Sequence, residues 1–430
     1  MQIAIIGSGH VGLVTGACFS ELGHDVVCVD SDSKKIALLK KGGCPIFEPE
    51  LHDLIRRSVA QGRLHFTTEI KSAVRSSEIL FICVGTPPQE SGETDLTAVV
   101  QVAKTIAKHM KSYRLIVEKS TVPVRTGTQV KKTIQENLKR HISFDVASNP
   151  EFLREGSAVQ DFLVPDRIVI GVESKRAEEL LRKLYRPFRA PILVTDIKSS
   201  EIIKHASNSF LSMKVSFINV IARLCDRVGA DVVKVAEGMG MDARINRSFL
   251  NAGIGFGGFC FPKDLAAFIH IAEKNGVPFN LLREVLDIND TQKDYFIELI
   301  EGEIGNLRGK KLAVLGLSFK PNTDDMRYAP SLEIVPALIE KGASVHAYDP
   351  AAMAEAKQLF KKAHFSDSAY KACKGADAIL ILTEWREFEE IDLSRLKKTV
   401  RSPVVIDGRN IYDPEIMQSK GFRYHGIGRS

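Results

Sequence analysis

The chain of 430 residues lacks the features that mark membrane, disulfide-stabilised and nucleic-acid-binding proteins. No apolar run approaches the roughly 18 residues of a membrane span, and no basic region or cleavage site accompanies the first apolar stretch at Ile3. The seven cysteines are irregularly spaced, which suggests neither a disulfide framework nor a zinc site. The net charge of +6 comes from scattered Lys and Arg, so nucleic acid is not implied as a partner. We therefore expect a cytoplasmic protein without a metal ion, a membrane partner or a nucleic-acid partner.

One cysteine stands apart from the others. Four cysteines, at positions 18, 28, 83 and 225, fall in apolar runs that are typical of small buried side chains. Cys260 instead lies in NAGIGFGGFCFPKD, between a pair of glycines and Asp264. Glycines allow a backbone to approach a ligand closely, and Pro262 is expected to stop an ordinary helix, so the stretch predicts a loop around a substrate. Our hypothesis is that Cys260 is a covalent catalyst.

The N-terminus carries a nucleotide-binding pattern. A β-branched apolar run from Gln2 leads into G-x-G-x-x-G at Gly7, Gly9 and Gly12, and a helical pattern follows. This context of strand, glycine turn and helix is the one in which the motif binds a dinucleotide pyrophosphate. Asp30 ends the next strand 18 residues after Gly12, near the place where an acid accepts ribose hydroxyls. Because an acid there repels a 2′-phosphate, NAD is favoured over NADP.

Polar residues follow the later strands of this first domain, which we place at residues 1–196. Thr86 follows one apolar strand, Thr121 follows the next, and Glu151 and Glu155 follow a third. In an open α/β sheet, ligands bind beyond the carboxyl ends of the strands. The two glutamates would share a face if their segment were helical, although acids in a first helical turn would also explain them.

Residues 197–303 read as an all-helical connector. Apolar residues recur at helical spacing from Ser199 to Arg227, and a second helical run follows from Pro278. Lys204 and Asn208 stand four apart on the first helix and hence on one face. Without other context, such a pair is as often solvated as functional.

The strand pattern restarts at Gly309. KKLAVLG, a helix and GASVHAYDP repeat the order of the N-terminal half, but the first turn lacks G-x-G-x-x-G. This predicts a second Rossmann-like domain at residues 304–430 that binds a mononucleotide or sugar nucleotide. Lys320 and Arg327 lie in its first turn, where a cation can meet a phosphate, although both could be surface charges. The predicted fold class is therefore α/β, with two Rossmann-like doubly wound parallel-sheet domains joined by the helical connector.

At this point the chain resembles the UDP-glucose/GDP-mannose dehydrogenases. The resemblance rests on IAIIGSGHVGL, VGTPP, EKSTVPVRTG, NPEFLREGSAVQDF, the Lys204–Asn208 pair, GFGGFCFPKD and GLSFKPNTDDMR, in that order along the chain. It implies an enzyme that uses two NAD molecules in succession to oxidise the primary alcohol of a nucleotide sugar to a carboxylate.

The resemblance also implies roles for individual residues. Cys260 would form a thiohemiacetal and then a thioester, while Lys204 and Asn208 hold the developing oxyanion. Asp264 would support hydrolysis, and Thr121 and Glu151 would hold a water that takes the first proton. The residues that the resemblance places at the cofactor are Gly7, Gly9, Val11, Gly12, Asp30, Lys35, Thr86, Thr121, Glu155, Lys263 and Arg327. A substrate role falls to Glu151, Phe152, Leu153, Arg154, Glu155, Lys204, Asn208, Arg244, Phe249, Leu250, Asn251, Ala252, Gly253, Gly257 and Lys320.

Arg244 resembles a residue that reaches the substrate of a partner subunit. This implies that the connector forms the interface of a homodimer or a higher homo-oligomer. Phe259 departs from the Ser or Tyr of many family members.

Alternatives remain open for the identity of the sugar and for the class of activity. The stretch around Cys260 resembles the UDP-glucose branch more than the GDP-mannose branch, so UDP-glucose is the expected substrate. A single-step 3-hydroxyacid dehydrogenase needs neither Cys260 nor Lys320. A non-catalytic nucleotide-sugar sensor would have lost part of the set Cys260, Lys204, Asn208 and Asp264, all of which are present.

Overall fold

The first strand and the glycine turn after it lie near the middle of an eight-stranded sheet. The computed structural model of the chain describes residues 1–89 and 92–429, so the last residue of the predicted 304–430 domain lies outside the described part. The strands are β1 (Gln2–Ile6), β2 (Asp25–Val29), β3 (Leu64–Thr67), β4 (Ile79–Ile82), β5 (Arg114–Glu118), β6 (Phe144–Ser148), β7 (Ile168–Gly171) and β8 (Ile192–Thr195). Their order in the sheet is β3-β2-β1-β4-β5-β6-β7-β8, and all pairs are parallel except β6 with β7.

Helices cover both faces of this sheet. They are α1 (His10–Glu21), α2 (Ser33–Lys40), α3 (Leu51–Ala60), α4 (Ile70–Ser76), α5 (Thr97–His109), α6 (Thr126–Asn137), α7 (Ala158–Leu163) and α8 (Lys175–Leu184). Alternate residues of β1 enter different cores: Ile3 and Ile5 pack on one side, and Ala4 and Ile6 on the other. Burial on both faces explains why these strands read as continuous apolar runs.

Four longer or connecting helices follow in the chain. They are α9 (Ile197–Val228), α10 (Val232–Gly240), α11 (Cys260–Lys274) and α12 (Asn280–Ile304). The chain divides into two units, with boundaries inside α9, inside α11 and between α11 and α12. The N-terminal unit comprises residues 1–207 and 266–277, and the C-terminal unit comprises residues 208–265 and 278–430. No helix in the described ranges is both long and apolar enough to cross a membrane.

The C-terminal unit contains a second, six-stranded sheet. Its elements are β9 (Lys311–Leu315), α13 (Ser331–Glu340), β10 (Ser344–Tyr348), α14 (Met353–Leu359), β11 (His364–Phe365), α15 (Ala369–Cys373), β12 (Ala378–Ile381), α16 (Arg386–Glu389), α17 (Leu393–Thr399), β13 (Val404–Asp407), α18 (Pro414–Ser419) and β14 (Arg423–Gly426). The order β11-β10-β9-β12-β13-β14 is wholly parallel and reproduces the 3-2-1-4-5-6 order of the first six strands. The predicted fold class is confirmed.

In each sheet, the first strand is followed by a glycine turn of the same kind. Gly7 has φ +104° and donates its amide to Val29 O at 2.8 Å, and Gly316 has φ +91° and donates to Tyr348 O at 2.9 Å. A Cβ at Gly7 would lie 2.7 Å from the carbonyl carbon of Cys83, and one at Gly316 would lie 2.6 Å from the Thr383 amide nitrogen. Only glycine fits both the dihedral angle and the space.

Two local predictions were wrong or did not apply. Cys260 is the first residue of α11, and Pro262 lies within the first turn of that helix instead of stopping it. Proline is tolerated there because the first amides of a helix have no intrahelical partner. The segment between β6 and α7 is not helical, so Glu151 and Glu155 do not share a helix face.

Candidate active site

The loop between β1 and α1 has the features of a dinucleotide site. A Cβ added at Gly9 would meet nothing within 4 Å, so this side of the turn is open to a ligand. Asp30 follows β2 and accepts hydrogen bonds from the Ser8 amide and from Lys35 Nζ, both at 2.9 Å. Burial opposes ionisation, but the bonds from the Asp32 amide and from Lys35 outweigh it and lower the pKa of Asp30. The residues therefore present an ionised carboxylate and an open glycine turn, which fits NAD.

Thr121 lies in a loop that is held from two sides. Thr86 donates its hydroxyl to Thr121 O at 2.9 Å. Glu201 of α9, which the sequence did not single out, accepts the Arg125 amide at 2.7 Å and the Gly127 amide at 2.8 Å. Burial raises the pKa of Glu201 to about 7. The loop that carries Thr121 is thus held by a side chain from the loop after β4 and by one from α9.

Glu151 and Lys204 form a buried ion pair in the N-terminal unit. Lys204 Nζ lies 3.0 Å from Glu151 Oε1, and the Leu153 amide donates to Glu151 Oε2 at 2.6 Å. The Glu151 side chain is 6% exposed and the Lys204 side chain is 4% exposed. Lys204 also lies over the ring of Phe152, 5.4 Å from its centre. Lys204 is therefore not a solvated surface lysine, and its ammonium group is oriented before any ligand binds.

The neighbouring predicted substrate residues differ in exposure. Glu155 and Leu153 are half-buried, whereas Arg154 is exposed and forms an ion pair of 2.6 Å with Asp161. Arg154 therefore already has a carboxylate partner within its own loop.

Cys260, Asp264 and Asn208 occupy one small region of the C-terminal unit. Asp264 follows Cys260 by one helical turn on α11, so both side chains project from the same face. Asn208 Nδ2 donates to Asp264 Oδ2 at 2.6 Å, and Lys263 Nζ lies 2.7 Å from Asp264 Oδ1. Asp264 is 1% exposed, while Cys260 is half-buried. A half-buried cysteine thus lies at a helix N-terminus, where negative charge is favoured.

Phe259 contacts two of the predicted cofactor residues. The Arg327 guanidinium lies 4.5 Å from the ring centre, and Lys263 Nζ lies 5.6 Å from it. The Gly258 amide donates to Arg327 O at 2.9 Å, which fixes the backbone of both residues together. Lys320 is half-buried, and its Nζ lies 5.2 Å from the ring centre of Phe319.

The irregular stretch before Cys260 is held by amide side chains that the sequence did not reveal. Asn289 of α12 accepts the Phe256 amide at 2.8 Å and donates to Phe256 O at 3.1 Å. Gln292 donates to Gly253 O at 2.8 Å, and Asn219 accepts the Gly253 amide at 2.9 Å. The backbone that leads to Cys260 is therefore bonded on both sides.

Arg409, after β13, is another residue that the sequence did not indicate. Its guanidinium donates to Gly255 O at 3.0 Å and to Phe319 O at 3.2 Å. It joins the stretch before Cys260 to the turn that carries Lys320. The only signal in the sequence was a strand followed by Gly408 and an arginine.

The remaining predicted substrate residues belong to the stretch before Cys260, except Arg244, which precedes it in the chain. Phe249 has φ +64°, Leu250 and Ala252 are buried, and Asn251 is exposed. Gly253 and Gly257 have no room for a side chain, since a Cβ would meet Gly408 O at 2.8 Å or the Tyr328 carbonyl carbon at 3.0 Å. Arg244 has an 89% exposed side chain and forms a 2.6 Å ion pair with Asp242.

Family models match three consecutive parts of the chain. Residues 1–189 match the NAD binding domain, residues 198–291 the central domain and residues 313–414 the UDP binding domain of one family. The chain belongs to the UDP-glucose/GDP-mannose dehydrogenase family. Its cofactor is NAD. Individual residue roles and the domain limits of 196 and 303 stay predictions.

Full-length relatives in the UDP-glucose/GDP-mannose dehydrogenase family are similar over the whole chain. The UDP-glucose 6-dehydrogenase TuaD of Bacillus subtilis is 50% identical, covering 100% of this chain and 93% of that protein. The UDP-glucose 6-dehydrogenase of Rhizobium meliloti is 48% identical, covering 100% of both. The solved UDP-glucose dehydrogenase of Pyrobaculum islandicum is 37% identical with a TM-score of 0.92, covering 100% of this chain and 98% of that one.

The second sheet of this family member differs from the first at the position equivalent to Asp30. Asp349 follows β10 and is 1% exposed. Its Oδ2 accepts the Leu317 amide at 2.7 Å, the Ser318 amide at 3.1 Å and Trp385 Nε1 at 3.2 Å. A ribose could not reach this carboxylate, so the second sheet does not provide a dinucleotide site of the first kind.

No metal site was found in the described ranges, where no three His, Cys, Asp or Glu side chains are grouped to hold an ion.

Proposed function

We propose that this protein catalyses the NAD-dependent, four-electron oxidation of UDP-glucose to UDP-glucuronate. The observation that carries the proposal is the arrangement of Cys260 one turn before Asp264, with Asp264 bonded to Asn208. A dehydrogenase that stopped at the aldehyde would not need a thiol there. The three matched domains and the full-length UDP-glucose 6-dehydrogenase relatives support the same substrate.

The first oxidation converts the primary alcohol of the sugar to an aldehyde. The glycine turn and Asp30 would hold NAD, which would supply the hydride acceptor for both oxidations of the sugar carbon. In our scheme, a water held by Thr121 and Glu151 takes the hydroxyl proton. Lys204, already oriented by Glu151 at 3.0 Å, stabilises negative charge on the sugar oxygen.

The second oxidation requires the thiol. The Cys260 thiolate adds to the aldehyde carbon and forms a C–S bond, and the oxygen of the resulting thiohemiacetal is held by Lys204 and Asn208. Loss of the second hydride restores the C=O bond and leaves a thioester. A water assisted by Asp264 then attacks the carbonyl carbon, the C–S bond breaks, and the thiolate and the carboxylate are released.

We further propose that the chain forms a homodimer through α9. Phe210, Phe217, Leu224 and Val228 recur along this helix and are between 49% and 66% exposed. An apolar stripe of this kind on one helix supports an interface between copies of the chain. Exposed Arg244 is then available to a partner's substrate, as the family resemblance implies.

The experiment that tests the reaction is a stoichiometry with limiting UDP-glucose and excess NAD. We expect two NADH per sugar nucleotide, with UDP-glucuronate identified by mass spectrometry. One NADH with accumulation of an aldehyde would contradict the thioester route. Two NADH from GDP-mannose and none from UDP-glucose would keep the mechanism and overturn the choice of sugar.

A further inference from the structure

Glu48 bonds to two separate loops of the N-terminal unit. Its side chain is completely buried, and it accepts the Gly156 amide on Oε2 and the Ala158 amide on Oε1, both at 2.8 Å. On the other side, His10 Nε2 lies 3.1 Å from Glu48 Oε2. A single carboxylate thus contacts one residue at the start of α1 and two residues around the start of α7.

The first loop carries predicted cofactor residues, and the second carries predicted substrate residues, of which Glu155 is also a predicted cofactor residue. His10 is the first residue of α1 and stands between Gly9 and Val11 in the glycine motif of the cofactor. Gly156 and Ala158 end the segment that begins at Glu151, whose members are predicted to contact the nucleotide sugar. Glu48 therefore links the cofactor loop to the substrate loop.

His10 can change the strength of this link because an imidazole side chain can gain or lose a proton. Burial opposes its protonation, but the hydrogen bond with Glu48 and the charges of Glu155, Glu48 and Glu151 outweigh burial and raise the pKa of His10. Protonated His10 adds a positive charge where the N-terminus of α1 already favours a pyrophosphate.

We propose that His10 is a positioning residue whose protonated form, held by Glu48, strengthens NAD binding and couples the cofactor loop to the substrate loop. The proposal rests on NAD binding at the glycine motif and not on the identity of the sugar. Loss of the proton removes a positive charge beside the glycine motif and leaves a neutral imidazole 3.1 Å from Glu48. NAD affinity must then fall as pH rises through the pKa of His10.

The test measures NAD binding by calorimetry, without any sugar nucleotide, for wild type and His10→Gln. Glutamine retains a donor for Glu48 but does not titrate. We expect the wild-type Kd for NAD to rise about tenfold between about pH 6 and pH 9, and the variant's Kd to stay level. Parallel profiles for the two proteins would overturn the proposal. Because NAD binding is measured directly and without a sugar nucleotide, the result does not depend on which sugar nucleotide the enzyme oxidises.

A second measurement uses the wild-type protein alone and is independent of how the variant folds. The pKa of His10, measured by NMR in the ligand-free protein, must coincide with the midpoint of the NAD affinity profile. A midpoint that differs by more than about one pH unit would overturn the proposal. Glu48→Gln probes the contact with the substrate loop. It should raise KM for NAD and KM for the sugar nucleotide together, whereas His10→Gln should raise KM for NAD by the larger factor, and an unchanged KM for the sugar nucleotide in Glu48→Gln would overturn the coupling.

Discussion

Asn208 donates a hydrogen bond of 2.6 Å to Asp264 Oδ2, and Lys263 lies 2.7 Å from Asp264 Oδ1. Both oxygens of a buried carboxylate therefore have polar partners one helical turn from Cys260. Such a carboxylate is held in one orientation, which a group that assists an attacking water requires.

Replacement of Cys260 by serine should separate the two oxidations. We expect Cys260→Ser to form NADH in the first step and then to release little or no acid, because an alkoxide ester is harder to form and to hydrolyse than a thioester. The loss in steady-state acid formation should exceed about a hundredfold. Stopped-flow NADH absorbance and product analysis check this. Cys44→Ser, at another half-buried cysteine, is the control, and full turnover by Cys260→Ser would refute the covalent route.

An aspartate at position 208 should make the activity depend on pH. In Asn208→Asp, two carboxylates at hydrogen-bond distance must share a proton, so the pKa of one is raised. We expect kcat to fall at least about tenfold at high pH, as the shared proton is lost, and to recover in part at lower pH. The kcat profile against pH checks this. Exposed Asn306→Asp is the isosteric control, and identical profiles for all three proteins would exclude a role for the pair.

Removal of the Asp30 carboxylate should affect the cofactor selectively. Asp30→Ala should weaken NAD by about tenfold or more, because the ribose hydroxyls lose a charged acceptor, while UDP-glucose binding changes little. Calorimetric titration with each ligand measures the two effects. Asp32→Ala, which removes only the N-cap of α2, is the matched control. Equal losses for both ligands would mean that Asp30 serves the fold alone.

Phe259 should be needed to position Arg327. Phe259→Ser removes a cation–π contact worth about 0.5–2 kcal/mol, so KM for NAD should rise about twofold to thirtyfold with a smaller change in kcat. Phe259→Tyr retains a ring and should remain close to wild type. Steady-state kinetics decide between this result and an equal loss in both variants, which would indicate a packing defect.

A charge on the exposed face of α9 should dissociate the proposed homodimer. We expect Phe217→Asp to weaken self-association by at least about tenfold, because a desolvated carboxylate would oppose burial of the apolar stripe. Sedimentation velocity over a range of concentrations measures this. Met241→Asp, at an 85% exposed residue of another segment, is the control, and an unchanged dimer in Phe217→Asp would place the interface elsewhere.

The fold followed from local patterns because its strands are short, apolar and punctuated by glycine. Gly7 and Gly316 require positive φ and close backbone approach, so their positions marked the two first turns without any long-range information. Lys204 and Asn208 could be paired in advance because helical spacing alone puts them on one face. Pro262 misled the prediction, since a proline in the first turn of a helix has the same local pattern as one that ends it.

The residues that the sequence did not reveal act over long distances in the chain. Glu48 bonds to Gly156 and Ala158, more than 100 positions away, and its neighbours resemble an ordinary helix start. Asn289 and Gln292 lie on a helix among many other polar residues, and only the tertiary structure shows that they bond the backbone before Cys260. Periodicity reports which face of an element is buried, and it does not identify partners.

The buried Asp349 has a consequence for the timing of the proposed reaction. Because its carboxylate is occupied by the turn after β9, the second sheet cannot hold a second dinucleotide beside a carboxylate in the way proposed for Asp30 of the first sheet. Two oxidations at one cofactor site require that NADH depart and NAD arrive while the half-oxidised sugar remains. The residence time of that intermediate must then exceed the exchange time of the cofactor, and a covalent bond to Cys260 meets this kinetic requirement.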